Sequence, residues 1–351
     1  MKIVIDASHP HLDLKDSPAA IYYKTLKLIT EQEKEHDFLF LVDEKLQEEN
    51  STSVNFTFEN TQRKSHLLGK IWWDFKLAIR GNKRFDILVS FEKKCFFVKA
   101  SSQCFIATDA NKIRKNHFQK MKTVVVDSFF FKNVLTRQFK IDTEKIEVVP
   151  VSPNSNFTSI DVLQKNVVKE KYSDGKEFFL YIGNFTGEES LIFLLKAFSQ
   201  FKKRQQSNFQ ILIINNQKSY FENKLTNYKY RGDVKWFSNC DQSEELLITA
   251  TAYALLHPFS KNFNYLPVLK AMQSAIPVIA VENSSAQEMA TEAGLYFENE
   301  TPANLSEKMM LLYTNENLRN ELAEKAINIA ATKSIKQTVD LLWQAIKKTV
   351  D

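Results

Sequence analysis

A chain of 351 residues is too long for one ordinary core and suits two domains of typical size. Hydrophobic residues at 44% and charged residues at 25% are the proportions of a soluble globular protein, and no apolar run approaches the ~20 residues of a membrane helix. A formal net charge of +5 is mild for this length and calls for no nucleic-acid partner, while Cys95, Cys104 and Cys240 are too scattered for a disulfide or metal set.

The start reads as a buried strand over residues 2–6. It is too short for a signal peptide and Asp6 interrupts it, so with the unpaired cysteines it implies a cytoplasmic location. Residues 17–31 have helical spacing, with Ser17 as N-cap and Pro18 in the first helical position. Strands follow over 38–42 and, more weakly, 54–58. Residues 65–80 form an amphipathic helix whose apolar face carries Leu68, Ile71, Trp72, Phe75 and Ile79. Short apolar runs at 86–91, 104–107 and 122–126 are strands, Ser128 caps a helix through Phe139, and 146–151 is a strand. The polar stretch 152–176 then reads as a linker, with a short helix possible in its pattern from Val162 to Tyr172.

After it the alternation restarts. Strands are expected at 178–182, 210–214, 234–237, 253–257, 277–281 and 294–297. Helices are expected at 189–204, 243–250, 266–273, 286–290, 302–313, 316–331 and 335–349. Strands alternating with helices imply parallel, doubly wound sheets, whose ligands bind at the carboxyl ends of the strands. The expected fold class is α/β with two Rossmann-like domains, 1–151 and 177–331, facing each other across a cleft. The last segment, 332–351, is expected to pack back on the first domain. The chain has only seven glycines and no cluster of them, so Walker-type and dinucleotide-type phosphate loops are excluded.

Several segments in order resemble family 4 (group 1) glycosyltransferases of the GT-B fold. The clearest runs from Leu266-Pro267-Val268-Leu269-Lys270-Ala271-Met272 through Ile276-Pro277-Val278-Ile279-Ala280 and Asn283-Ser284-Ser285-Ala286-Gln287-Glu288 to Gly294-Leu295-Tyr296-Phe297. Upstream, Phe179–Asn184, Leu194–Phe198 and Ser243-Glu244-Glu245-Leu246 fit the same pattern, as do Trp72-Trp73 and Lys145–Pro150 in the first half. The resemblance is continuous over most of 120–330 and weaker before 100.

That resemblance implies a nucleotide-sugar donor bound by the second domain and a glycan or lipid-linked acceptor bound by the first. Transfer would retain configuration, with no metal and no cofactor besides the substrate. The donor set it implies is Gly183, Asn184, Gly187, Glu188, Glu189, Leu266, Lys270 and Glu288, and the catalytic set is Thr108, Asp109 and Asn262. The family places an Arg and a Lys after the first strand of this domain, where this chain has Glu188 and Glu189. Each reversal matters, because a charge pair ~4 Å apart is worth roughly 1 kcal/mol in water and ~4 kcal/mol at an effective dielectric of 20. The family's two glutamates, for the donor sugar and for the ribose hydroxyls, fall on Asn262 and Lys270. Lys270 only donates and cannot replace an acceptor. One expectation is that it pairs with Glu188 or Glu189. Lys261, Lys270 and Arg231 are the candidate replacement cations.

Glu288 also fits an ordinary first-turn carboxylate favoured by the helix dipole. His257 reads first as a structural hydrogen-bonder. The helix at 65–84, with Lys64, Lys70, Lys76, Arg80, Lys83 and Arg84, could rest on an anionic membrane surface, but an ordinary core-facing helix with a basic solvent side is the simpler reading. The 28 phenylalanines are read as core residues. Two main functions follow: a glycosyltransferase with an adapted donor site, or a catalytically degenerate GT-B protein serving as a scaffold partner in glycan synthesis. A binding module for another ligand is the third.

Overall fold

The computed structural model describes residues 1–7, 17–42, 56–60, 85–91, 102–109, 113, 118, 121–152, 157–205 and 207–350, with backbone alone at 56–60 and 222. The basic helix at 65–84 and Cys95 lie outside the described residues. The chain divides into two compact units, Met1–Asn154 with Ser334–Asp351, and Ser155–Lys333.

In the first unit, β1 (Lys2–Ala7), β2 (Asp37–Val42), β3 (Phe56–Asn60), β4 (Ile87–Phe91), β5 (Ser102–Ile106), β6 (Thr123–Val126) and β7 (Ile146–Val148) form one parallel sheet. Its order is β3-β2-β1-β4-β5-β6-β7. Strands such as Thr123–Val126 and Ile87–Phe91 are buried at every position, which is why they read as unbroken apolar runs rather than alternating ones. Helix α1 (Pro18–Gln32) begins as its sequence predicts, with the Ser17 hydroxyl accepting from the Ala20 amide and Pro18 in the first turn. Helix α2 (Phe129–Phe139) is capped by Ser128, which accepts from Phe131.

The second unit holds β8 (Phe178–Ile182), β9 (Gln210–Ile214), β10 (Val234–Phe237), β11 (Ala254–His257), β12 (Val278–Val281) and β13 (Gly294–Phe297). They pair in parallel in the order β10-β9-β8-β11-β12-β13. Its described helices are α3 (Val162–Ser173), α4 (Glu188–Gln205), α5 (Lys218–Thr226), α6 (Gln242–Thr251), α7 (Leu266–Gln273), α8 (Ser285–Ala290), α9 (Pro302–Thr314) and α10 (Glu316–Ala331). Within the stretch expected as a linker, the helix its pattern allowed from Val162 is α3, closed at its start by a reciprocal capping box between Asp161 and Gln164. The core is aromatic, as the phenylalanine content suggests. Phe179 meets Phe201 edge to face at 5.1 Å, and Phe198, Phe209 and Phe221 are buried around them. Each such side chain stabilises the unit by roughly 1.5–3 kcal/mol.

Helix α11 (Ile335–Lys348) returns to the first unit, where it packs on α1 and β6. It buries Leu342, Trp343 and Ile346 there, with the Trp343 ring 5.2 Å from His36 and 6.3 Å from Phe38. The Thr338 hydroxyl donates to the Pro150 carbonyl at 2.8 Å.

Candidate functional site

In the second sheet the strand order reverses between β8 and β11, so the loops leaving these neighbours depart in opposite senses and open a crevice at their carboxyl ends. The loop after β8 begins at Gly183, whose φ of 145° lies in a region side chains rarely adopt. A Cβ there would stand 3.4 Å from Nδ2 of Asn262, which comes from the loop after β11. The structure therefore brings Gly183 and Asn262 together from positions about eighty residues apart.

Both loops are held by amide side chains. Asn215, just past β9, donates from Nδ2 to the Gly183 carbonyl at 2.6 Å and to Gln217 Oε1 at 3.1 Å. Gln217 Oε1 in turn accepts from the Phe185 amide at 2.9 Å. The Tyr181 hydroxyl donates to the Asn184 carbonyl at 3.3 Å. On the other side, Asn262 Oδ1 accepts from the Asn264 amide, and the Asn262 carbonyl accepts from the Ser285 hydroxyl, both at 3.2 Å. Asn264 Oδ1 takes the amide of Leu266 at 3.1 Å, and its carbonyl takes the buried His257 Nε2 at 3.1 Å. That bond leaves Nδ1 as the unprotonated nitrogen, and burial pushes the imidazole below its ordinary pKa. Asn215, Gln217 and Asn264 are members of this framework that sequence reasoning missed. The only signal was a polar run directly after each strand.

The remaining expected residues fall into separate places. Glu188 and Glu189 are exposed at the start of α4, just past Gly187, where the helix dipole favours carboxylates. Glu188 pairs with Lys224 at 2.7 Å, and both are more than 40% exposed. Lys270 instead pairs with Glu245 of α6 at 2.7 Å, with side-chain exposures of 2% and 13%. The expected pairing of Lys270 with Glu188 or Glu189 is thus replaced. Lys270 is drawn into the face between α6 and α7, while the acids of α4 serve its solvated end. Leu266 is fully buried with its amide already bonded, so it anchors α7 rather than offering groups to a ligand. Glu288 is half-buried in the first turn of α8, beside the Ser284 cap. Thr108 and Asp109 stand half-buried beyond the carboxyl end of β5 in the first unit.

Of the candidate cations, Arg231 precedes β10 and so lies at the amino edge of the sheet, where it donates to the Thr226 carbonyl. It cannot serve the crevice. Lys261, next to Asn262, is at the correct edge and exposed. Among the described residues no group of three or more His, Cys, Asp or Glu side chains is disposed to hold a metal ion, and no helix is long and apolar enough to cross a membrane.

Comparison with known proteins agrees with this geometry. Residues 164–329 match the family described as glycosyl transferases group 1. Over 185 residues the chain is 24% identical to the O-antigen chain mannosyltransferase RfbU of Salmonella typhimurium, a match taking in 52% of this chain and 48% of that relative. The chain thus spans about half the length of that relative. In fold it is similar to a glycosyltransferase from Rickettsia africae, with a TM-score of 0.75 at 15% identity over 100% of this chain and 98% of that one. It is also similar to HepE of Anabaena, solved with UDP-glucose, with a TM-score of 0.75 at 12% identity over 99% of each. Residues 164–329 are thus similar to the group 1 glycosyl transferases, and the chain as a whole has the GT-B fold.

Proposed function

We propose that the protein transfers a sugar from a nucleotide-sugar donor, bound by the second unit, to a glycan or lipid-linked acceptor, with retention of configuration and without metal. The observation that carries this reading is the crevice between β8 and β11, where Gly183 and Asn262 meet inside the group 1 domain. Gly183 presents backbone with no side chain in the way, so a phosphate or sugar can approach it closely. The Asn262 amide can both donate to and accept from a sugar hydroxyl. Lys261 supplies positive charge for a diphosphate that grows more negative as the sugar leaves. The UDP-glucose held by HepE and the mannosyl transfer named for RfbU support this donor class. In the same reading Thr108 and Asp109 face the acceptor, and the protein works in the cytoplasm.

A thermal-shift panel of UDP-, GDP- and dTDP-sugars tests the donor. A ligand at 100 times its dissociation constant stabilises the protein by about 2.7 kcal/mol, an easily read rise in Tm. If no member of the panel shifts the transition, the donor reading falls and the scaffold alternative replaces it. Where a donor is found, Asn262→Ala is expected to lower kcat/KM about 10- to 100-fold, the size of one lost hydrogen bond in a desolvated site.

A further inference from the structure

The loop after β11 carries both Lys261 and Asn262, and its two halves are held differently. Asn262 is tied by its near neighbours and by α8, since its Oδ1 accepts from the Asn264 amide and its carbonyl accepts from the Ser285 hydroxyl. The half before it is held by side chains from elsewhere. The Phe259 ring packs on Tyr181 at 6.1 Å and on Phe193 at 5.4 Å. The polar anchor is Glu300, 40 residues further along the chain, whose Oε1 accepts from the Ser260 amide at 2.8 Å and from the Ser260 hydroxyl.

Glu300 is itself presented by a fixed turn. It follows β13, so it leaves the sheet by the same carboxyl edge as Ser260, and it reaches past β12 to the loop of β11. Asn299 before it adopts the left-handed region at a φ of 46°, which asparagine tolerates. Asn304 Nδ2 ties this turn down by donating to the carbonyls of Glu298 at 2.7 Å and Asn299 at 3.3 Å. A side chain on such a turn is aimed before it meets its partner, so it gives up less freedom when the bond forms.

An exposed carboxylate is often no more than a solvated charge. Here two donors converge on one of its oxygens, and one of them is backbone. The contact therefore fixes the path of the chain and not only the pose of a side chain, and a charged acceptor makes the stronger kind of hydrogen bond. Lys261 is the next residue and is exposed, so the position of its ammonium follows the backbone that Glu300 holds.

We infer that Glu300 is a positioning residue for donor binding: it clasps the loop after β11 at Ser260 and thereby sets Lys261 and Asn262 against the diphosphate and the sugar. This rests on the donor reading above. The last strand of the sheet would then serve the crevice without touching the ligand.

The test is the affinity of the full chain for whichever UDP-, GDP- or dTDP-sugar the thermal-shift panel identifies. Glu300→Ala is expected to weaken binding about 10-fold, the low end for a hydrogen bond to a charged group, because Glu300 is exposed. Glu300→Gln keeps an acceptor oxygen of the same reach and is expected to recover most of that loss. In a Lys261→Ala background the further loss from Glu300→Ala should shrink, because both changes act through one loop. Damage unrelated to the loop would multiply with Lys261→Ala at full size. A Glu300→Ala that binds as tightly as wild type, or that loses as much with Lys261→Ala as without it, overturns the assignment and leaves the donor reading standing. So does a Glu300→Gln no better than Glu300→Ala, which would point to lost charge and not to a lost clasp. Tighter binding by Glu300→Ala also overturns it, since the carboxylate would then be filling an anion's place at the Ser260 amide. A wild type that binds no member of the panel overturns the donor reading and this inference with it.

Discussion

Two lysine–glutamate pairs of the second unit, Glu188 with Lys224 and Glu245 with Lys270, differ in what surrounds them. Glu188 and Lys224 are solvated, and such surface pairs contribute at most about 1 kcal/mol, so Lys224→Ala should leave the urea midpoint nearly unchanged. Lys270 and Glu245 are enclosed. Lys270→Met alone strands a buried carboxylate and is expected to cost about 3–5 kcal/mol, most of it recovered by adding Glu245→Gln. Burial also governs His257. It favours the neutral imidazole, so the folded state binds fewer protons than the unfolded chain below the ordinary value of about 6.5. The resulting stability is complete above that pH and is lost as the pH falls from there through the folded value. Urea midpoints between pH 7.5 and 5.5 should therefore decline, with His257 contributing up to about 1.4 kcal/mol per pH unit, and His257→Gln should flatten the slope. For the thiols, burial pushes Cys104 up to about 12. At Cys240 burial comes first, then the carboxylates of Glu244, Glu245 and Asp241, and the thiol is likewise pushed up to about 12. At pH 8 each then carries about 1,000-fold less thiolate than an ordinary cysteine, and peptide mapping after iodoacetamide should find both largely unmodified.

At the scale of elements, caps marked the starts of several helices. Ser17, Ser128 and Asp161 each precede their helix and accept from it in the structure. The pattern of 152–176 was therefore resolved in favour of a helix by a local device, the Asp161–Gln164 box. Asp161→Ala should destabilise the protein by about 1 kcal/mol in equilibrium unfolding, with Asp161→Ser much milder. Helix α5 escaped notice for the converse reason. Gln217 gives it no side-chain cap, and its nine residues Lys218–Thr226 show little apolar periodicity, so it exists because Phe221 fits the core beside Trp236 and Phe185.

For the whole molecule, the order of the chain and the order of the units differ. Helix α11 follows the second unit in sequence yet belongs to the first, where it covers α1 and β6. Removing 334–351 uncovers Leu342, Trp343 and Ile346 and the surfaces they fill, each worth roughly 1.5–3 kcal/mol. The truncated chain is expected to lose its first unit to limited proteolysis while the second survives as a resistant fragment. Equal digestion of both units would contradict this division.

The sequence by itself determined the repeated strand–helix alternation, the two parallel sheets and most helix starts, because these depend on local runs of apolar residues and on caps a few positions away. The series from Leu266 to Phe297 also carried the resemblance to the group 1 glycosyl transferases, since strand, turn and helix signals there follow one another without a gap. Only tertiary structure decided the chemistry of the crevice. Which partner Lys270 takes, that Arg231 lies at the opposite edge, and that Asn215 and Gln217 pin the Gly183 turn all depend on neighbours distant along the chain. A charge in the sequence has a sign but no address; burial and the crossing of helices supply the address, and with it the role.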